Sequence, residues 1–236
     1  MDNCNRALVI LCDLTTEGDE KFKKLYQFLD ASGVKLADML LASHYGRYEK
    51  LVGSQVTLQS FLDILQSLKA DTSIQAIDVI PILHGSPRSL WFNTEPVTAA
   101  DLKQQILRIG LRDRLRLLYS LACYGASHAQ DFVDAGFKAA IGAKGVNASS
   151  SHEYPAVLKM WAGGSSIHKA ISVGDNLVSR TMDDLAAKAL RFDDVNSEKV
   201  IYGDSSIAID SSFWEFQKSP DIQSWLSILL LEGSTG

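Results

Sequence analysis

Cysteine is scarce in this chain: three residues in 236, at Cys4, Cys12 and Cys123, with no CxxC and no paired spacing. That excludes a disulfide framework and a zinc ribbon, and leaves each thiol to be read by itself. Long apolar runs are missing as well. The longest, around 7–12 and 225–231, fall far below the roughly 20 residues that a membrane helix requires, so no membrane partner is expected. The N-terminus MDNCNRALVILCDL is acidic and its apolar run is short, so no secretory signal is expected and the cytoplasm is the expected compartment. Positive charge is not in excess: 23 Lys and Arg against 28 Asp and Glu give a net charge of −5, which argues against a broad nucleic-acid partner. There is no GxxxxGK[ST] loop, no GxGxxG after the first apolar run and no GxSxG elbow. The glycine-rich pieces GAKG and AGGSS lack the spacing that cradles a phosphate. A nucleotide-binding α/β protein is therefore disfavoured.

What is present is an ordinary globular composition, 46% apolar and 22% charged, in a length suited to a single domain spanning 1–236. ALVILCD (7–13) reads as a buried strand. Phe22, Leu25, Tyr26 and Leu29 follow at helical spacing, with Gly33 as the expected stop, and KLADMLLASHYG reads as a second strand. Residues 56–70 place Leu58, Phe61, Leu62, Leu65 and Leu68 on one helical face. IQAIDVIPILHG (74–85) is a strand that stops at a His-Gly pair, SPRSLWFNTEP a hairpin, and 98–109 a helix capped by Thr98. RLRLLYSLAC is the next strand, SHAQDFVDAGF a helix and KAAIGAKG a short strand. GVNASSSHE (145–153) reads as an exposed loop, 154–180 as helices broken at Gly163-Gly164, and SEKVIYGDSSIAID as a terminal strand pair. Strands alternating with helices predict an α/β fold, a mainly parallel sheet flanked by helices on both faces.

The segment LLYSLACYGAS (117–127) carries the functional question. In open parallel sheets, chemistry gathers beyond the carboxyl ends of the strands. Two strands end in reactive residues: one at His84-Gly85, the next at Cys123. Parallel strands joined by a crossover point the same way, so both residues emerge at one sheet edge. The 39 positions between them hold one hairpin and one crossover helix. A thiolate is a nucleophile and an imidazole a proton carrier, so the pair fits nucleophilic catalysis. The backbone N–H groups of Gly85 and Cys123 are placed to hold a developing oxyanion.

IDVIPILHGSP and LLYSLACYGAS resemble the His-Gly and Ala-Cys strand ends of caspase-like cysteine peptidases, the group that holds caspases, metacaspases, legumains, gingipains, clostripain and CHAT domains. HGSPRSLWFNTEPVTAADL is similar to the family's hairpin-and-helix succession, and VIYGDSSIAI resembles its GDP strand, with Ser205 where proline is common. The resemblance spans roughly residues 5–210. It implies a caspase-like fold and hydrolysis of peptide bonds in a protein or peptide substrate. By the same resemblance His84 is the general acid/base, Cys123 the nucleophile, and Gly85 with the Cys123 amide the oxyanion site. Relatives often carry a polar residue two positions before the cysteine; Leu121 stands there. Asp13 matches a place where relatives put a charged specificity residue, which with Leu121 as an apolar wall implies a substrate pocket that prefers Lys or Arg; read from the residue alone, a turn-forming or capping Asp is the alternative. Some relatives use calcium, but no acidic loop with ligand spacing is present, so no metal and no cofactor are expected. Activation by another protein is expected of so short a chain.

The alternative is a caspase-like interaction module without turnover; the intact His84 and Cys123 favour the enzyme. His44, His128, His152 and His168 show no ligand spacing and read as surface or capping residues. Arg108, Arg112, Arg114 and Arg116 read as a solvated cluster, Cys12 as strand filler, and Trp91 and Trp161 as core.

Overall fold

A computed structural model describes residues 2–211. In chain order the elements are β1 (Arg6–Asp13), α1 (Lys23–Leu40), β2 (Arg47–Val52), α2 (Leu58–Ala70) and β3 (Ala76–Leu83). A small three-stranded sheet follows, β4 (Gly85–Ser86), β5 (Ser89–Phe92) and β6 (Glu95–Thr98). The second half holds α3 (Ala99–Ile109), β7 (Leu115–Tyr119), α4 (Ala126–Ala135), β8 (Ala139–Ala143), α5 (Ser150–Ala162), α6 (Ile167–Gly174), α7 (Leu177–Ala189) and β9 (Lys199–Gly203).

The main sheet has the order β2-β1-β3-β7-β8-β9, parallel except for β9, which runs antiparallel to β8. Both faces are covered, which is why β1 and β3 are unbroken buried runs instead of alternating ones. Ala7, Val9 and Leu11 of β1 face a core with Phe61 and Leu65 of α2, Ile106 of α3 and Phe132 of α4. Leu8, Ile10 and Cys12 face the other way, toward Ala37 of α1, Leu158 of α5 and Ile171 of α6. The chain leaves β1 for β2 on one side and then crosses to β3 on the other. The strand order therefore reverses at β1/β3, the place where such sheets open a crevice at their carboxyl ends.

Where the sequence patterns are strong, the elements follow them. In α2, Thr57 Oγ1 accepts from Ser60 N at 3.1 Å, and Phe61, Leu62, Leu65 and Leu68 are buried. In α3, Thr98 Oγ1 accepts from Asp101 N at 3.1 Å. Four expectations are corrected. Gly33 does not stop α1: the helix runs to Leu40, because Gly33 is the point of closest approach to the sheet, where a Cβ would lie 2.8 Å from Ile82 Cδ1. The second strand accordingly falls later, at Arg47–Val52. SEKVIYGDSSIAID supplies one strand, β9, and then a turn. The stretch 145–153 is not an exposed loop: α5 begins at Ser150, and Ser149 and Glu153 are buried.

Arg116 is also not solvated. A register shift between Ile77 and Asp78 turns it into the core, where its guanidinium meets Asp78 through two bonds, Nε–Oδ1 at 2.9 Å and Nη2–Oδ2 at 2.6 Å. Tyr45 donates to the same carboxylate at 2.6 Å, and Trp161 Nε1 donates to Tyr45 at 3.1 Å. Arg116 also bonds the carbonyls of Ile209 and Ser211, fastening the end of the described chain beneath the sheet. A buried charge pair survives only when its remaining polar valences are filled in this way.

Candidate active site

β3 ends at Leu83, and the next residue, His84, is held from two sides. Its carbonyl accepts from Trp91 N at 3.0 Å, which ties it to the hairpin. Its ring donates from Nε2 to the carbonyl of Leu14, just past the end of β1, at 2.7 Å. The Leu14 peptide is fixed in turn by Asp30 of α1, which accepts from Leu14 N at 2.9 Å and from Thr15 Oγ1 at 2.6 Å. Tyr26 of α1 packs edge-on against the imidazole, with centroids 5.0 Å apart. An imidazole whose Nε2 is occupied as a donor keeps its Nδ1 lone pair for other work.

Beyond Tyr119 the chain still bridges its neighbours: Ser120 N donates to Ile141 O and Leu121 N to Pro81 O, both at 2.9 Å. Cys123 comes next. Tyr124 then takes a left-handed conformation, φ 56°, and donates its N–H to Gly145 O at 2.8 Å, which starts α4 in a new direction. The thiol is thus set on a sharp bend. Asn147 N–H reaches its sulfur at 3.4 Å.

The two strand ends touch through backbone. A Cβ on Gly85 would lie 2.3 Å from the Cys123 carbonyl oxygen and 3.0 Å from Ala122 Cβ. Only glycine lets the hairpin lie against the bend that carries the thiol. His128 fixes the same junction from behind, its Nε2 2.8 Å from Ser86 O. It is wholly buried, contrary to the surface role expected of it, and burial lowers its pKa. Gly85→Ala is expected to push the hairpin away from the bend and to destabilise the fold by about 1–3 kcal/mol, the usual cost of overfilling a packed site. Thermal unfolding measures it; an unchanged midpoint would show that the junction tolerates movement.

His84 and Cys123 line one cavity of about 320 Å³, with Leu14, Leu83, Asn147 and Ala148 on the sheet side and Tyr26, Phe28 and Leu190 closing it from the helices. A second cavity of about 140 Å³ continues past Leu14 and Phe28 to Ile82, Leu121 and Tyr154. Leu121 therefore stands in the wall of the deeper slot. Asp13 lines neither cavity. It is buried at the strand end, where its Oδ1 accepts from Thr16 N at 3.1 Å and Thr16 Oγ1 at 2.8 Å. The carboxylate that does line the larger cavity is Asp183 of α7, 2.8 Å from His152 Nδ1.

Burial pushes the Cys123 thiol above its ordinary range, against the opposing pull of the Asn147 N–H and the Lys199 charge. Cys12 is pushed up further by burial and by Asp30, and its sulfur is engaged with that carboxylate at 3.4 Å. Its side chain is wholly buried. Among the described residues no group of His, Cys, Asp and Glu side chains is arranged to hold a metal ion, and no helix is long and apolar enough to cross a membrane.

Three features of this site were not legible in the sequence: the Leu14 carbonyl, which no side chain announces; Tyr26, read only as a helix-face residue; and Asn147, read only as part of the exposed stretch 145–153.

Among the described residues the sheet is six-stranded and mostly parallel, with a cysteine and a histidine just past the ends of two adjacent strands and lining one cavity. No family model matches the sequence, and no curated protein matches it. Solved structures do match in shape. Caspase-1 from Spodoptera frugiperda is similar with a TM-score of 0.55 at 10% identity, over 84% of this chain and 86% of that one. A secreted C11 cysteine protease from Bacteroides thetaiotaomicron, solved with an irreversible peptide inhibitor, gives a TM-score of 0.46 at 12% identity, over 71% of this chain and 56% of that one. The fold is caspase-like.

Proposed function

We propose that the protein is a cysteine endopeptidase that cuts peptide bonds with a Cys123/His84 dyad. The observation that carries this reading is the anchoring of His84 Nε2 on the Leu14 carbonyl, beside a cavity that the Cys123 thiol shares. With substrate in the cleft, His84 Nδ1 takes the thiol proton as Sγ bonds to the scissile carbonyl carbon. The backbone N–H groups of Gly85 and Cys123 hold the oxyanion. Nδ1–H then passes its proton to the leaving amine, the C–N bond breaks, and a thioester remains. Water adds to the thioester, giving a proton back to Nδ1, and the acid product leaves as Sγ recovers its proton.

A thiol raised by burial is mostly neutral at rest, so substrate must bring base and nucleophile together before the proton moves. Specificity follows the walls. The slot past Leu121 is lined chiefly by apolar side chains, and Asp13 Oδ1 is already engaged by Thr16. We take a large apolar residue before the scissile bond as the preferred one; the basic preference that Asp13 would confer is the competing outcome.

A peptidyl acyloxymethyl ketone with leucine at its reactive end tests the reading against that of an inactive interaction module. Expected is a single adduct at Cys123, found by mass spectrometry and lost in His84→Ala. Absence of any adduct at Cys123 would favour the module.

A further inference from the structure

The loop that faces the thiol is held from below by charges that no part of the dyad uses. Lys199, the first residue of β9, forms an ion pair with Glu153 of α5, and neither side chain is exposed. Its ammonium also donates to Asn147 Oδ1 at 3.1 Å and to Ser197 O at 3.2 Å. The other oxygen of Glu153 accepts from Tyr119 of β7 at 2.7 Å. Asn147 turns this support toward the nucleophile: its Nδ2 donates to Leu121 O at 2.9 Å and its backbone N–H reaches Cys123 Sγ at 3.4 Å. A lysine at the start of an edge strand costs least when it points to water. Here it is buried, and the group it braces touches both the nucleophile and the residue two before it.

We propose that Lys199 and Asn147 are positioning residues for Cys123. Lys199 holds the Asn147 side chain, which sets the loop so that its N–H meets the sulfur and its amide grips the Leu121 carbonyl. The proposal rests on the reading of Cys123 as the nucleophile. The electrostatics run the same way. Lys199 meets Asn147 directly, whereas Glu153 is engaged by Lys199 and, at its other oxygen, by Tyr119, so the positive member of the pair lies toward the thiol. A cation and an N–H donor both favour a thiolate and oppose its burial. The other groups facing Cys123 are His84 at the end of β3, Tyr26 of α1 and the adjoining Tyr124. Around Lys199 they are Glu153, Tyr119 and Asp175, which accepts from Lys199 N at 3.0 Å.

The test is the pH dependence of iodoacetamide alkylation at Cys123, followed by peptide mass spectrometry in a Cys4→Ser background. The variants are Lys199→Gln/Glu153→Gln, which removes both charges together, and Asn147→Ala, which keeps the ion pair. Each should move the alkylation midpoint upward by about one pH unit, which lowers the rate at pH 8 about tenfold. In peptide cleavage kcat should fall with little change in KM. A midpoint equal to the parent's in a variant that is folded by circular dichroism overturns the proposal. If the double variant does not fold, Asn147→Ala decides alone by the same criterion. Alkylation needs no peptide turnover, so a parent that cuts no peptide defeats the peptidase reading while the midpoints still judge this one.

Discussion

Cys123→Ala should leave no measurable peptide cleavage, and His84→Ala should lower kcat/KM by roughly 10²–10⁴, the usual worth of a positioned proton carrier. The double variant should be no worse than Cys123→Ala, because base and nucleophile act as one unit and their losses do not add. Both positions tolerate alanine structurally: Cys123 sits on a bend fixed by the backbone bonds of Ser120, Leu121 and Tyr124, and His84 is followed by a hairpin with its own pairing. Thermal unfolding should therefore shift little. In the free protein the thiol is raised by burial, so its proton is held until the pH exceeds the ordinary thiol range. Alkylation of Cys123 should climb only there, whereas turnover, in which His84 takes the proton directly, should set in at lower pH. An active Cys123→Ala protein would end the dyad reading.

Substrates with leucine or phenylalanine before the scissile bond should be cut about 100- to 5,000-fold faster than matched peptides with aspartate. The slot beyond the thiol is walled by Leu14, Ile82 and Leu121, with Phe28 and Tyr154 near its ends. An aspartate placed there would be desolvated with no cation beside it, and an uncompensated buried charge costs about 3–5 kcal/mol. Arginine falls between the two. Its methylenes match the walls, but its head must find either Asp13 Oδ2, which has no hydrogen-bond partner among the described residues, or the Asp183 carboxylate in the larger cavity. Rates on peptides differing only at that residue measure the order. Arginine ahead of leucine, with the advantage lost in Asp13→Ala, would restore Asp13 as the specificity acid.

The frame of the molecule is written in local pattern. Apolar runs at 7–12 and 79–83 can be satisfied only by a sheet covered twice, and the His-Gly and Ala-Cys endings are visible because a strand end is a local event. What could not be read was long-range. Gly33 reads as a stop until Ile82 is known to press on it. Arg116 reads as surface until a register shift hands it to Asp78. His128 reads as a surface or capping residue until Ser86 O is placed against it. The anchor of His84 is a carbonyl, and every residue has one, so no residue type at position 14 could announce it.

The brace on the thiol has a consequence for how the molecule is made. His84 and Cys123 both precede β8, and a fragment ending at β8 already holds the paired strands that bring them together. The residues that seat the nucleophile arrive later, in the order Asn147, Glu153, Lys199. The loop carrying Asn147 is laced to the 194–198 segment by Gly145 N to Asn196 O, Val146 N to Asp194 O and Lys144 N to Glu198 O. These pairings join residues about fifty positions apart, and such contacts form late because a long loop must first be closed. A growing chain is therefore expected to carry its thiol through synthesis with the scaffold in place and the seat unfinished until β9 arrives.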